Sequence, residues 1–216
     1  MLFPISFKHH YITGTLDSEV LCSLLEAISE KREVALETIN RKKDRTFESH
    51  VIPLKIMLST QSGRNYCMAY SPKFRRINAY RIDNILSAEL CDKSPYFDEY
   101  KEKLDGMLSH LWGVSTQGHS GKRLEPVEFT VKYSDGEEYI HQRLVREKRC
   151  GTVEKLDDNT SRFSADVYDA EELIPWIRTF ICRITDLKFS DEKTKKQFND
   201  DIEAMYELYG LTEASK

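Results

Sequence analysis

Arginine and tyrosine side chains are concentrated in residues 64–85, which read RNYCMAYSPKFRRINAYRIDNI. Arginine can pair with phosphate through its planar guanidinium group, and tyrosine offers a flat ring on which a base can stack. These residue types together favour the binding of an anionic or planar ligand. The candidate ligand-binding residues are therefore Tyr66, Tyr70, Arg75, Arg76 and Arg81.

The same segment predicts a β-hairpin whose two strands are joined by a Ser71-Pro72 turn. Because side chains alternate along a strand, Tyr66 and Tyr70 fall on one face of the first strand. In the second strand Arg81 lies on one face and Arg76 on the other, so each face carries an arginine. A hairpin with a purely structural role would keep one face apolar, which indicates a surface that meets a ligand.

Charge is distributed unevenly along the chain. The whole protein of 216 residues has a formal net charge of −4, yet residues 41–81 contain ten basic residues against two acidic ones, an excess of +8. Such an excess concentrates the electrostatic field at one surface and favours anionic partners. The alternative is a set of solvated charges that protect edge strands from aggregation.

Several of these residues also have a structural interpretation. A strand tyrosine can be a half-buried core residue whose hydroxyl group has a partner. Arg81 can form an intramolecular ion pair with Asp83 or Glu89, since Asp83 shares its strand face. Cys67 can be a thiol activated by the nearby arginines, but its position opposite to Tyr66 favours a place in the core.

The composition is that of an ordinary soluble globular protein, with 40% hydrophobic and 31% charged residues. No apolar run approaches the roughly 20 residues that span a bilayer, and the start of the chain lacks the features of a secretory signal. The five cysteines are scattered without C-x-x-C spacing. We therefore expect a cytoplasmic protein with reduced thiols and neither a disulfide framework nor a zinc site.

The sequence contains none of the common catalytic motifs, such as G-x-S-x-G, H-E-x-x-H or G-x-G-x-x-G after a strand. The loop Gly113–Arg123 resembles a phosphate loop, but Thr116 and Arg123 depart from the pattern G-x-x-x-x-G-K-[ST], so we interpret it as a linker. His9 and His10 have no nearby ligating partner and belong to an extended lead-in. We predict no enzymatic activity, no cofactor and no metal site.

Periodicity in the first half predicts one helix at 17–32, followed by short strands. The helix follows from an apolar stripe at i, i+3 and i+4 that includes Leu21, Leu24 and Leu25. The strand predictions are 34–39, 51–59, 64–70, 75–82 and 85–90. Pro53 lies inside the second of them and implies an edge position or a bulge. Five short strands after a helix indicate a small barrel.

The second half predicts a linker helix at 98–111 and then a unit of alternating elements. These are a strand at 127–133, a helix at 137–148, strands at 151–156 and 162–168, a helix from Asp169 to Ile181, a strand at 184–189 and a long helix at 191–209. Asp169 with Glu172 resembles a capping box, and Pro175 can delay or kink the helix that follows. The order β-α-β-β-α-β-α fits a ferredoxin-like sandwich with an added terminal helix.

Two motifs in the first half resemble the WYL-domain family. Tyr66 matches the tyrosine of the family's Trp-Tyr-Leu triplet, Arg81-Ile82-Asp83 matches its Arg-Leu-Asp segment, and Pro53 matches its strand proline. The departures are Asn65 for the tryptophan, Cys67 for the leucine and Asn84 for a second arginine. The resemblance covers about 17–90. Residues 126–210 look like the C-terminal extension that is common in this family, with Glu172–Phe180 similar to its Leu-x-x-Trp-Leu helix.

The resemblance implies an α+β fold in which an SH3/Sm-like barrel with an N-terminal helix, at 17–92, is followed by a linker at 93–125. A ferredoxin-like domain with a long C-terminal helix then occupies 126–216, and 1–16 is a lead-in. Members are mostly bacterial transcriptional regulators, often homodimers. Their barrel senses a negatively charged ligand, proposed to be a nucleotide or single-stranded nucleic acid. A helix-turn-helix domain precedes the barrel in such regulators, and we expect none here because 1–16 is too short.

Our first hypothesis is therefore a ligand-sensing regulatory module that binds a nucleotide or single-stranded nucleic acid through the basic and aromatic hairpin. The second is a protein-interaction or dimerisation module without a nucleic-acid ligand. A reader of double-stranded DNA comes third, because the first helix carries Glu19, Glu26 and Glu30 and offers no basic recognition face.

Overall fold

The computed structural model describes residues 19–59, 63–118, 121 and 123–210. The lead-in with His9 and His10 lies outside this part of the chain. The protein divides into two compact units, Met1–Leu108 and Ser109–Lys216. Among the residues described, no helix has both the length and the apolar character needed to cross a lipid bilayer.

In its described residues the first unit contains two helices and five strands. They are α1 (Glu19–Glu30), β1 (Arg32–Asn40), β2 (Arg45–Leu58), β3 (Asn65–Ser71), β4 (Arg76–Arg81), β5 (Ile85–Lys93) and α2 (Phe97–Met107), with a 3-10 turn at Ile82–Asn84. The strands form one antiparallel sheet in the order β4-β3-β2-β1-β5. The predicted sequence of one helix and five strands is therefore confirmed.

Strand β2 is unusually long because its two halves pair with different neighbours. Its first half pairs with β1 up to Val51, and its second half pairs with β3 from Ile52 onward. The register shifts between Pro53 and Lys55. The bulge that the proline predicts is thus confirmed, and it lies in a central strand rather than at an edge. In the described residues the sheet is open, so its closure into an SH3/Sm-like barrel stays a prediction.

The core of the first unit lies between α1 and the sheet. Leu21, Leu24 and Ala27 of α1 pack against Val34 and Leu36 of β1 and against buried residues of the other strands. Leu21 and Leu24 belong to the helical stripe that the sequence predicts, whereas Leu25 of that stripe is 51% exposed and Ala27 is buried instead. The helix ends at Lys31, whose φ of 58° is in the left-handed region.

The second unit is built on a four-stranded antiparallel sheet in the order β7-β8-β6-β9. Its main elements are β6 (Glu125–Lys132), α3 (Tyr139–Glu147), β7 (Thr152–Asp157), β8 (Thr160–Val167), α4 (Ile174–Ile177), β9 (Ile184–Phe189) and α5 (Glu192–Leu208). The order of elements is the β-α-β-β-α-β-α order that the sequence predicts. The two outer strands of this split arrangement are β7 and β9.

The predicted helix from Asp169 to Ile181 is broken into three pieces. A 3-10 turn at Ala170–Leu173 leads into α4, and a second 3-10 turn follows at Arg178–Arg183. Pro175 lies at the start of α4, where its missing N–H costs nothing. The predicted capping box is wrong, because the Asp169 side chain accepts from the Glu171 N–H and Glu172 binds elsewhere.

Aromatic side chains fill the core of the second unit. Trp176 lies with ring centroids 4.7–5.5 Å from those of Trp112, Phe163, Phe129 and Phe180. These rings belong to one buried cluster with the inward residues of β6, β8 and α3. Both tryptophans of the protein are therefore part of a single core.

Candidate functional site

Strands β3 and β4 form the hairpin that the sequence predicts. Tyr66 pairs with Arg81, Tyr70 with Ile77, and Ser71 with Arg76. Residues directly opposite each other in an antiparallel pair project from the same face. Tyr66, Tyr70 and Arg81 therefore share one face, and Arg76 lies on the other.

The structure does not bring the five candidate residues together. Tyr66 and Arg81 lie at one end of the hairpin, whereas Tyr70, Arg75 and Arg76 lie near the other. The distance along β4 from Arg76 to Arg81 is about 17 Å at the usual rise of a strand. The candidate site consists of two separate groups.

The first group is organised around an ion pair. The Arg81 Nε donates to Asp83 Oδ1 at 3.0 Å, and its Nη2 donates to Asp83 Oδ2 at 2.5 Å. The sequence left open whether Arg81 pairs with Asp83 or Glu89, and the structure places it on Asp83. The hydrogen bond from Arg81 holds the pKa of the Asp83 carboxyl below its usual range, and the same contact raises the pKa of Arg81.

Two further arginines approach Asp83 from other parts of the chain. Arg41, in the loop after β1, donates to Asn84 Oδ1 at 3.2 Å and to the backbone carbonyl of Asp83 at 3.1 Å. Arg64 lies close enough to help lower the pKa of Asp83. We name Arg41, Arg64, Tyr66, Arg81, Asp83 and Asn84 the Asp83 cluster. It gathers three guanidinium groups around Asp83 and Asn84, with Arg81 and Arg64 near the Asp83 carboxylate and Arg41 on the Asp83 backbone carbonyl.

Sequence reasoning missed Arg41 and Arg64 as site residues. Both belong to the +8 segment of 41–81, which was the only signal for them. Arg41 is 42 positions from Asp83, and a contact of that separation follows from the pairing of β1 with β5 rather than from any local spacing.

The second group lies at the turn between the strands, Pro72–Arg76, which we name the hairpin tip. Phe74 is 53% exposed. Lys73 Nζ lies 5.6 Å from its ring centroid, and Arg76 Cζ lies 5.7 Å from it. Arg75 has a φ of 51° and is exposed. The tip therefore presents an aromatic ring between basic side chains, a combination that suits phosphate and base contacts.

Tyr70 has an aromatic partner within the protein. Its ring stacks on Tyr100 of α2, with centroids 3.6 Å apart and planes 10° from parallel. A hydrogen bond with Tyr70 raises the pKa of Tyr100 to about 12. Met68 and Ile77, which share the face of Tyr70, are buried. The middle of this face is thus packed, and α2 covers its Tyr70 end.

The family model of the WYL domain matches residues 19–90, within the first unit. The chain carries a WYL domain. The matched range contains both strands of the hairpin, the Asp83 cluster and the hairpin tip. The sequence resemblance to this family is therefore confirmed.

Solved structures are similar to the chain over most of its length at low identity. The proteasome accessory factor B/C (PafBC) of Arthrobacter aurescens is 15% identical, with a TM-score of 0.39, over 95% of this chain and 28% of that protein. A CRISPR Cas-related protein is 11% identical, with a TM-score of 0.57, over 92% of this chain and 53% of that one. The latter likeness shows a shared fold. No curated protein matches the sequence.

Cys67 of the WYL domain is a core residue, as its position in the strand predicts. It is completely buried, and burial raises the pKa of its thiol to about 12. A thiol of that kind is protonated at neutral pH and is a poor nucleophile. Within the described ranges, no three His, Cys, Asp or Glu side chains are gathered in a group that could hold a metal ion.

Outside the WYL domain, a hollow of about 580 Å³ lies on the second unit and is lined partly by His110, Asp166 and Lys188. The Lys188 ammonium group is 2.8 Å from Glu128 and 3.2 Å from Asp186. Its charge is already balanced by these carboxylates, so the hollow offers less to an anion than the Asp83 cluster does.

Proposed function

We propose that this chain is a ligand-sensing regulatory module whose WYL domain binds a nucleotide or single-stranded nucleic acid. The observation that carries the proposal is the Asp83 cluster beside Tyr66. In it Arg81 pairs with the Asp83 carboxylate, Arg64 lies near that carboxylate, and Arg41 donates to the Asp83 backbone carbonyl. Three cations against one anion leave a surplus of positive charge at a surface where an aromatic ring is also present.

Each part of the cluster has a chemical role in this proposal. Asp83 binds Arg81 through Nε and Nη2, which fixes the plane of the guanidinium group and leaves Nη1 outside the pair. A fixed guanidinium group loses less conformational freedom when it binds phosphate. Tyr66 supplies a ring on which a base stacks.

The hairpin tip is the second contact region, because Lys73 and Arg76 lie near the exposed ring of Phe74 and Arg75 is exposed in the same turn. Tyr70, between the two regions, completes the set of site residues in the proposal. We infer that mononucleotides reach only the Asp83 cluster, whereas a strand of several nucleotides also contacts the tip.

The wider role that we propose is that of the sensory part of a bacterial transcriptional regulator without enzymatic activity. In this role the module works as a homodimer and acts on DNA indirectly, through a helix-turn-helix domain supplied from outside residues 1–216. The module itself has an SH3/Sm-like barrel at 17–92, a linker at 93–125 and a ferredoxin-like domain at 126–216. The five cysteines are all free thiols, which fits the reducing cytoplasm.

The test is a binding titration of ATP and of a fluorescein-labelled dT₁₂ strand, repeated over a range of salt concentrations. We expect the double variant Arg75→Ala/Arg81→Ala to bind dT₁₂ more weakly and with a shallower salt dependence, because each lost phosphate contact reduces the slope by about one. Arg146→Ala/Lys155→Ala removes the same charge from the second unit and serves as the control. Equal affinity and slope in wild type and Arg75→Ala/Arg81→Ala would show that this site is wrong.

The second candidate function is a dimerisation or protein-interaction module. It is favoured by the end of α5, where Leu208 is 80% exposed and Tyr209 is 70% exposed. Exposed apolar side chains in a row are typical of surfaces that meet a partner. Analytical ultracentrifugation distinguishes the two functions. A tight dimer that binds neither ATP nor dT₁₂ at low salt would favour this second function.

A further inference from the structure

Helix α2 lies on the face of the hairpin that also carries Tyr66 and Arg81. The stack between Tyr100 and Tyr70 places α2 at one end of this face, and α2 also packs against β2. Its inward residues Phe97 and Leu104 are buried. Any ligand that extends from the Asp83 cluster along this face toward Tyr70 therefore meets α2.

The charge of α2 is opposite to that of the hairpin. The helix FDEYKEKLDGM contains four acidic and two basic residues, a net charge of −2. The hairpin belongs to the segment 41–81 with its excess of +8. An acidic helix beside a basic segment lowers the potential that attracts a polyanion.

The attachment of α2 is suited to reversible opening. The helix has 11 residues and no side-chain cap at its N-terminus, so its stability depends on its packing. Its ion pair between Asp98 and Lys31 is exposed and contributes little. The stack of Tyr100 on Tyr70 is the contact that a nucleic-acid base can replace with an equivalent one.

We propose that α2 is a displaceable acidic cap, which competes with single-stranded nucleic acid for Tyr70 and the neighbouring basic surface. Ligand binding exchanges the stack of Tyr70 on Tyr100 for a stack of Tyr70 on a base. Because α2 is the last element of the first unit in the chain, its release changes the segment that leads into the second unit. This regulation rests on the proposed binding of nucleic acid to the WYL domain.

The first test compares dT₁₂ binding by wild type, Tyr100→Ala and Tyr96→Ala at low salt. Tyr96 is 56% exposed, and its contact with Tyr100 is a tilted one at 6.3 Å, so its loss is the matched control. We expect Tyr100→Ala to bind dT₁₂ more tightly, on the order of threefold to tenfold, since a competing stack has been removed. If Tyr100→Ala binds dT₁₂ as tightly as wild type or more weakly, α2 is not a competing cap.

A second variant tests the acidic character of α2 without removing a ring. Glu99→Gln/Glu102→Gln changes two exposed carboxylates and leaves both tyrosines in place. We expect this variant to bind dT₁₂ more tightly than wild type at low salt and as tightly as wild type at high salt, because salt screens the repulsion between the carboxylates and the strand. A variant that binds like wild type at low salt would contradict the electrostatic part of the proposal.

Hydrogen exchange provides a readout that binding affinity alone does not give. We expect the amides of α2 to exchange faster when dT₁₂ is bound, because the helix is released. Slower or unchanged exchange would show that the helix stays in place.

If wild type binds dT₁₂ and Arg81→Ala does not, while Tyr100→Ala changes nothing, only the cap is wrong. If neither wild type nor any of the variants binds dT₁₂, both the cap and the proposed function are wrong.

Discussion

At the scale of single residues, the pair of Arg81 and Asp83 decides how the Asp83 cluster is held. The two side chains are 34% and 31% exposed, so water screens the interaction and its contribution to stability is about 0.5 kcal/mol. The main effect of the contact is to position Arg81, because it fixes the guanidinium group in one plane.

Asp83→Asn tests this pair through its dependence on pH. The folded-state pKa of Asp83 is lowered, so its contribution is present above the unfolded pKa of about 4 and is lost as the pH falls through the lower folded value. We expect Asp83→Asn to unfold at slightly lower urea than wild type at pH 7, and the difference to shrink as the pH falls below about 4. Glu89→Gln is the control, and a matching loss there would indicate that Glu89 is the partner.

Cys67 yields a prediction about reactivity. Because burial raises its pKa to about 12, we expect Cys67 to resist alkylation by iodoacetamide at pH 8 in the folded protein. The exposed Cys22 and Cys182 are the internal controls and should be modified first. Peptide mass spectrometry before and after addition of urea makes the measurement. Early modification of native Cys67 would contradict its place in the core.

The residue scale also shows what the sequence could and could not predict about the site. Alternation along each strand placed Tyr66 with Tyr70 and separated Arg81 from Arg76, but the register that puts Tyr66 and Arg81 on one face comes from the structure. The approach of Arg41 and the stack of Tyr100 on Tyr70 both depend on tertiary structure. Period-two and period-3.6 patterns describe local geometry only, so they do not identify contacts between segments 30 or more residues apart.

At the scale of elements, the strands and helices with strong periodicity were predicted closely, and β9 was predicted with its bounds at 184–189. Among the strands, the largest difference in length is that of β2, which begins at Arg45 rather than at 51. Residues 45–50 are polar apart from Phe47 and mostly exposed, so they lack the apolar alternation that marks a strand. Their pairing with β1 supplies the order that the local sequence does not show.

Glu172, in the 3-10 turn that follows Asp169, connects this broken helix to another segment of the second unit. Its carboxylate accepts from the backbone N–H groups of Gly113, Val114 and Ser115, and from the Ser115 hydroxyl group at 3.0 Å. We expect Glu172→Gln to destabilise the second unit by about 1–3 kcal/mol, because an amide replaces a charged acceptor that binds several donors. Thermal unfolding makes the measurement, with Glu154→Gln on exposed β7 as the control. Equal midpoints for both variants would contradict this role.

At the scale of the whole molecule, the described residues form two separate hydrophobic clusters. One is formed by α1 and the first sheet, and the other by the second sheet and its helices. The predicted change from helix and strands to an alternating β-α pattern already separated these units along the sequence. The boundary that the structure shows, after Leu108, lies within the predicted linker of 93–125.

Because both tryptophans lie in the second cluster, tryptophan fluorescence reports on that cluster alone, whereas far-UV circular dichroism reports on the whole chain. Leu24→Ala creates a cavity in the first cluster and should cost about 2–5 kcal/mol there. We expect it to lower the unfolding midpoint seen by circular dichroism and to leave the fluorescence midpoint in place. Phe163→Ala, in the second cluster, should lower the fluorescence midpoint. If Leu24→Ala lowers both midpoints equally, the two clusters unfold as one cooperative unit, and a ligand bound to the WYL domain would then stabilise the entire chain.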